Sequence, residues 1–396
     1  MAVDARVVVT ILFFALLTWF VWSKKENMQT HKILYPVLFF SMYRTTWGLA
    51  AMEKYAKKYS KLLQWLGTAG IVVGFLGMVF IGVELIKNLF RLFSKPDTAP
   101  GVGLVLPVKA QGIFYVPIEY WIICIFVIAL VHEFAHGVLS RVYDVKVKSS
   151  GFAFLSILIP IIPAAFVEPD EKRLQKKSLK QQLAVFAAGP FSNVILAFIC
   201  LGILWGLSPL ADALVEPTGV EITKLVEGDF PAKLAGIQPG EVVQQVNGVP
   251  VPYVQNLSSQ MAAYDPGDTI NLKTDKNTYT ITLAKNPDNE SMAYMGAYLS
   301  QASDIKPTVK ESYGEFLPNV LFWIVGLFVF LFILNLGIGL FNLVPIGPLD
   351  GGRMLHAVLI KYVEKEKALQ LFSMVGITFI LVILINILFP FVKNVF

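Results

Sequence analysis

The sequence predicts a mainly α fold: a polytopic helical membrane protein of about six transmembrane helices, with re-entrant hairpin segments and one small β-rich domain inserted between spans. Three observations carry this. Of 396 residues, 55% are hydrophobic and only 15% charged, whereas soluble domains carry about 25% charged residues. Mean hydropathy is +0.62, so lipid has to solvate part of the chain. One stretch, 211–300, breaks the apolar pattern and reads as a separate soluble module.

A span needs about 20 mainly apolar residues. The candidates are Val7–Trp22, Leu63–Phe90, Glu119–Leu139, Leu183–Leu207, Phe316–Phe341 and Leu369–Val392. The first is short, ends in Trp19 and Trp22 as suits a membrane interface, and is followed by Lys24-Lys25 without a small-residue cleavage site, so it reads as an uncleaved anchor. Gly101–Pro117 and Gly151–Val167 are apolar but broken, the first by Gly, Pro and Lys109, the second by Pro160 and Pro163. Neither forms a regular spanning helix. Irregular backbone at membrane depth survives only where protein or a water cavity satisfies it, so both are expected as re-entrant loops or short hairpins. The stretch 211–300 alternates polar and apolar residues, as in Thr269–Lys273 and Tyr279–Leu283, between the turn signals Gln238-Pro239-Gly240, Asn247-Gly248 and Asp265-Pro266-Gly267. Roughly 85 to 90 residues are enough to fold alone.

The net charge of +5 is modest, and no basic run with interleaved aromatics points to nucleic acid. Cys124 and Cys200 lie in apolar runs as small hydrophobes, with no disulfide or zinc-knuckle spacing. Eight basic residues fall in each of the loops Ser23–Leu62 and Ser140–Gln182, against Arg91, Lys95 and Lys109 between the second and third spans. With six spans the basic loops share one side, expected cytoplasmic, and the inserted domain and both termini lie on the other. The partition is then 1–100 for two spans and a cytoplasmic loop, 101–210 for the first part of a membrane core, 211–300 for the inserted domain, and 301–396 for the second part.

His132-Glu133-Phe134-Ala135-His136, on the third span, is an H-E-x-x-H pattern. Residues four apart share one helix face, so both imidazoles are placed to grip one metal ion while Glu133 takes a proton from water. Imidazole nitrogen without thiolates suits zinc. A chance match is the bland alternative, but the chain has four histidines in all, and ionisable groups inside a span are expensive and usually functional. A catalytic zinc takes a third protein ligand and keeps an open position. The candidate is Asp350, in the helix-breaking run Asn342–Gly352 after the fifth span; the alternative there is an ordinary polar turn at the membrane surface. By the topology above, His132, His136, Asp350 and the stretch Gly189–Asn193 all reach the cytoplasmic leaflet.

Together, His132–His136, Ala188-Gly189-Pro190-x-x-Asn193 and Asn342-x-x-Pro345-x-x-x-x-Asp350-Gly351 resemble the site-2 protease family of intramembrane zinc metalloproteases, over roughly 101–392. Ala165–Asp170 resembles the segment after that family's re-entrant hairpin. The resemblance implies zinc on His132, His136 and Asp350, with Glu133 as general base and later proton donor. It places Asn193 and Asn342 near the site, where one of them is expected to hydrogen-bond the substrate backbone; interhelical hydrogen bonding is the alternative for both. It implies transmembrane proteins as substrates, cut within or near their spans in the bilayer. The run Val226–Gly248 resembles protease-attached PDZ domains, which bind extended peptides by strand addition; steric filtering of bulky substrates is the other role such a domain serves. The first two spans fit the family less clearly. Two other classes stay open at this stage: a catalytically silent membrane scaffold or chaperone, and a metal transporter on the same ligands, against which the lack of an internal repeat argues.

Overall fold

The computed structural model describes residues 5–34, 38–94, 100–110, 112–157, 159–287 and 289–392; Lys95, counted among the loop cations, lies outside them. The chain divides into two compact units, one of Met1–Leu204 with Gly326–Phe396 and one of Trp205–Val325.

The first unit starts with helix α1 (Ala5–Ser23), strands β1 (Met28–Leu34) and β2 (Leu38–Thr45), helix α2 (Leu49–Lys58) and the long helix α3 (Ser60–Ser94). Short strands β3 (Leu104–Leu106) and β4 (Ile113–Tyr115) pair in parallel. Helix α4 (Ile118–Val142) follows, then the hairpin β5 (Val147–Ile157) and β6 (Ile159–Pro169), one-turn α5 (Glu171–Leu174) and α6 (Leu179–Leu214). Among the described residues, five helices are long and apolar enough to cross a membrane; Thr10–Ser23 of α1 is a shorter apolar helix.

The segment between the first two spans, which carries no readable motif, is structured. Gly48, at φ 79°, makes the left-handed turn into α2. That helix buries Met52 and Ala56 and packs on α4 so closely that a Cβ on Gly137 would overlap the Met52 side chain. An ion pair from Glu53 to Arg141 ties α2 to the end of α4. Lys57 first, and then Arg141, hold the Glu53 carboxyl below its ordinary value. On α3, Gly67, Gly70, Gly74 and Gly77 are buried along one face. A Cβ at these positions would meet Leu139 of α4, Phe191 of α6, Met354 and Leu343 respectively. Small residues let transmembrane helices approach this closely, so α3 braces the elements that carry the polar motifs.

Gly151–Val167 forms a hairpin as its prolines foretell, and it belongs to a larger sheet. Strands run antiparallel in the order β1-β2-β5-β6, so β2 covers β5, and of the two hairpin strands β6 is at the sheet edge. The stretch Gly101–Pro117 is anchored by Trp121 Nε1, which donates to Val105 O at 3.0 Å, and by Gly101 N–H, which donates to the buried Asn386 Oδ1 at 3.0 Å.

The second unit holds β7 (Val215–Leu225), α7 (Pro231–Leu234), β8 (Val242–Val246), β9 (Val249–Pro250), α8 (Val254–Met261), β10 (Thr269–Thr274), β11 (Thr278–Thr282), β12 (Ala284–Lys285), β13 (Ala293–Tyr294), β14 (Ala297–Ile305) and α9 (Pro307–Tyr313). Its main sheet has the order β11-β10-β8-β7-β14, with β9 on β8. Asn247 and Gly248, at φ 48° and 80°, form the two-residue turn between β8 and β9, as Asn-Gly favours. The sheet and α8 enclose an apolar core that includes Val220, Ile222, Ile237, Leu257 and Ile270. Glu241 is buried there; its carboxylate accepts from Gln238 N–H and from the Thr274 and Tyr279 hydroxyls.

The chain then returns through α10 (Phe316–Phe341), α11 (Asp350–Tyr362) and α12 (Lys365–Val392). A core of Val138, Leu139, Ala184, Ala187, Leu343 and Met354 joins α4, α6 and α11 around the polar residues described next.

Candidate metal centre

His132 and His136 lie one helical turn apart on α4, and both are buried. Asp350 is the first residue of α11 and is buried as well. The loop before it is tight: Gly351 N–H donates to Asn342 O at 2.8 Å. A Cβ on Gly351 would overlap the Leu343 backbone, and one on Gly352 the Ile346 carbonyl, so the glycine pair is what lets the carboxylate turn inward.

The three side chains converge. Nε2 of His132 lies 3.1 Å from Nε2 of His136, and Asp350 Oδ2 lies 3.1 Å from the first and 3.2 Å from the second. Tetrahedral zinc with bonds of about 2.0–2.2 Å places its donors about 3.3–3.5 Å apart. Two imidazole nitrogens and one carboxylate oxygen at this spacing therefore fit the ion and leave its fourth position open. The outward nitrogens are also engaged. His136 Nδ1–H donates to Val185 O of α6 at 2.7 Å, which aims Nε2 at the centre. His132 Nδ1 faces the Asn193 amide at 3.1 Å.

Gly189 stands where any side chain would collide, since its Cβ would overlap Nε2 of both histidines. Gly339 of α10 likewise approaches Asn193 and Pro190 of α6, with a Cβ at 3.2 Å from each. Glu133 points the other way along α4, toward the hairpin, where its Oε2 accepts from Val167 N–H at 2.8 Å. That amide lies on the free edge of β6. The glutamate is thus held between the histidine pair and an unpaired strand edge.

Of the residues singled out from sequence, His132, His136, Asp350 and Asn193 form one cluster, and Glu133 adjoins it. Asn342 enters through its backbone carbonyl; its half-buried side chain makes no hydrogen bond among the described residues. Sequence reasoning missed Val185 and Val167, which contribute main-chain groups and carry no side-chain signal. It passed over Gly189 as part of a motif without seeing that an absent side chain is its contribution.

Two cavities lie along α4. A pocket of about 40 Å³ contains Glu133, with Trp47, Gly48, Leu130, Phe134 and Val167 on its walls. A larger apolar cavity of about 960 Å³ lies between α2–α3 and α4–α6 and shares Trp47, Gly48, Leu130 and Phe134 with the small one. The small pocket and the large cavity therefore lie side by side, with these four residues between them.

Comparison with known proteins agrees with this chemistry. The profile of peptidase family M50 matches residues 120–383, more than half of the chain. An uncharacterized protein of Methanocaldococcus jannaschii is 26% identical over 370 residues, covering 92% of this chain and 89% of its own. The zinc metalloprotease RasP of Shouchella clausii is 24% identical, covering 59% of this chain and 64% of its own. The regulator of sigma-W protease RasP of Bacillus subtilis is 22% identical, covering 58% and 63%. The chain therefore spans less than two thirds of either RasP protein. Among solved structures, the PDZ domain of an SdrC-like protein from Listeria monocytogenes overlaps 21% of this chain and 87% of its own, at 19% identity and a TM-score of 0.18. From its matched profile, its apolar helices and its His-His-Asp cluster, the chain belongs to peptidase family M50, as a multi-pass membrane zinc metalloprotease of the site-2 type.

Proposed function

We propose that His132, His136 and Asp350 hold the zinc ion with which this protease hydrolyses peptide bonds within or beside transmembrane segments of other membrane proteins. The convergence of their three donor atoms at 3.1–3.2 Å is the observation that carries the reading. Zinc, when bound, supplies Lewis-acid activation of water and of the scissile carbonyl. Glu133 accepts the proton of the attacking water and returns it to the leaving amine. Its anchorage on Val167 N–H supports that role, because the carboxylate is held in place before substrate arrives.

Hydrolysis also needs the substrate unwound, since a helix hides its backbone in hydrogen bonds. The free edge of β6 is suited to take an extended chain as an added strand. Val167 turns its N–H outward to Glu133, and by the two-residue strand period Ala165 presents its N–H and C=O on the same side. A substrate strand paired with Ala165 therefore runs beside the glutamate. Asn342, whose side-chain amide is uncommitted, is the group assigned to the substrate carbonyl. The apolar cavity between α2–α3 and α4–α6 supplies the approach for a substrate helix from lipid.

The excess of Lys and Arg in two loops favours a cytoplasmic side for those loops and for the zinc cluster, with the β-rich unit on the other side of the membrane. That unit, PDZ-like in its sequence pattern, recruits an extended peptide or screens substrates by size. The deciding experiment is Glu133→Gln in detergent-purified protein, with zinc quantified alongside cleavage of a single-span substrate. Zinc at the wild-type level with cleavage reduced by orders of magnitude is expected. Cleavage near the wild-type rate rejects the assignment.

A further inference from the structure

The zinc reading, on which this inference rests, has both histidines ligating through Nε2. A neutral imidazole that ligates through Nε2 carries its proton on Nδ1, and that proton needs an acceptor. For His136 the acceptor is a main-chain carbonyl, Val185 O. Nδ1 of His132 meets no carbonyl or carboxylate among the described residues; the Asn193 amide occupies that place, with Nδ2 at 3.1 Å. Asn193 has no exposed surface, and its Oδ1 is buried without a hydrogen-bond partner. A buried amide oxygen left in that condition is unfavourable, because it has lost water without gaining a donor.

Chemistry allows two arrangements of this pair. With a proton on His132 Nε2, that N–H donates to Asp350 Oδ2, and Asn193 Nδ2–H donates to the bare Nδ1. With a metal on Nε2, Nδ1 carries the proton, and the same amide orientation would set two donors face to face. A half-turn about the Asn193 Cβ–Cγ bond exchanges Nδ2 for Oδ1 at almost unchanged shape. The orphaned oxygen then accepts from Nδ1–H.

We propose that Asn193 is a positioning residue for zinc: with Oδ1 presented to Nδ1–H, its amide fixes His132 in the ligating tautomer. Two observations separate this from contact with substrate. The imidazole of His132 stands between Asn193 and the converging donors. On the opposite side α10 closes the amide in, where Gly339 comes so near that its Cβ would lie 3.2 Å from the Asn193 Cβ. Glycine at 339 makes room for the asparagine, whose side chain has no exposed surface for a peptide to meet. A mere interhelical hydrogen bond would leave the tautomer of His132 undetermined.

The test uses the full-length chain in detergent, with zinc affinity read by chelator competition and the His132 nitrogens read by 15N NMR. Asn193→Leu, similar in size and without an acceptor, should weaken zinc about 10–100-fold, the usual cost of losing a ligand's outer partner. Asn193→Asp, which only accepts, should bind zinc at least as tightly as wild type. In the zinc-loaded wild type the proton of His132 should sit on Nδ1. Unchanged zinc affinity in Asn193→Leu overturns the proposal, whatever happens to cleavage, and so does loss of zinc in Asn193→Asp. If the leucine variant fails to fold, the aspartate variant and the wild-type spectrum still decide. Wild-type protein that takes up no zinc at all would instead reject the ligand assignment itself.

Discussion

At the scale of single residues, the centre depends as much on what is missing as on what is present. Gly189 leaves the volume into which both Nε2 atoms project. Adding one methyl there is an overpacking change, which costs about 1–3 kcal/mol in a well-packed core. Because the atoms displaced are the proposed ligands, Gly189→Ala should weaken zinc by about ten- to hundredfold, with the helical content of the protein unchanged. Isothermal titration with zinc, paired with circular dichroism, checks this; full affinity would show that α6 or α4 shifts to make room. The histidines proposed as ligands were legible in sequence, because a histidine pair inside an apolar span is costly unless it serves a function. Gly189 was not, since a glycine advertises freedom of backbone and close approach alike and only neighbours distinguish the two.

At the scale of elements, main-chain groups do what side-chain patterns do not announce. The turn of α6 at Val185 orients His136, and the edge of β6 at Val167 holds Glu133. Neither is readable from residue type, because every non-proline residue carries the same donor and acceptor. The hairpin was foretold by Pro160 and Pro163, whereas its partners β1 and β2 were not: long-range strand pairing leaves no local mark. In the β-rich unit, burial pushes the Glu241 carboxyl up, and the Gln238 N–H with the Thr274 and Tyr279 hydroxyls outweighs it, so the group titrates below its ordinary 4.5. A depressed carboxylate stabilises the folded state above its unfolded value, and that stabilisation disappears as pH falls through the folded value. Hydrogen-exchange protection of the β8 and β10 amides should therefore drop in the wild type as pH is lowered from about 4.5. Glu241→Gln should start lower at neutral pH and change little over the same interval. An equal acid response in both proteins would show that other carboxylates govern the unit.

At the scale of the whole molecule, a large apolar cavity shares walls with the small pocket that contains Glu133. Zinc chemistry needs water, and a transmembrane substrate needs lipid-like walls, so the small pocket at Glu133 and the large cavity beside it divide those demands. Ala51 lines the large cavity away from the donors. Ala51→Trp should fill part of it, reducing cleavage of a membrane-embedded substrate about tenfold or more (a loss of ~1.4 kcal/mol in transition-state access). Zinc content and cleavage of a short soluble peptide should stay near wild type. An equal loss on both substrates would mean that the bulky residue disturbs the centre, and no loss on either would mean that substrates arrive by another path.

By itself the sequence determined the class of solvent, the five long apolar helices, the β-rich insertion and which polar residues were candidates to hold a metal. Each of these is written in local composition or in spacing along one helix. It also singled out Asp350 among helix breakers at the end of a span, where an ordinary polar turn was the alternative. Only the tertiary structure decided that the glycine face of α3 braces α4, α6 and α11. It alone revealed that Glu133 rests on a strand edge, and that Asn193 faces a ligand's outer nitrogen where a substrate contact had been one expectation. These depend on which surfaces meet after distant segments pack. A glycine face, an unpaired amide and an uncommitted amide oxygen acquire meaning only from the atom opposite them.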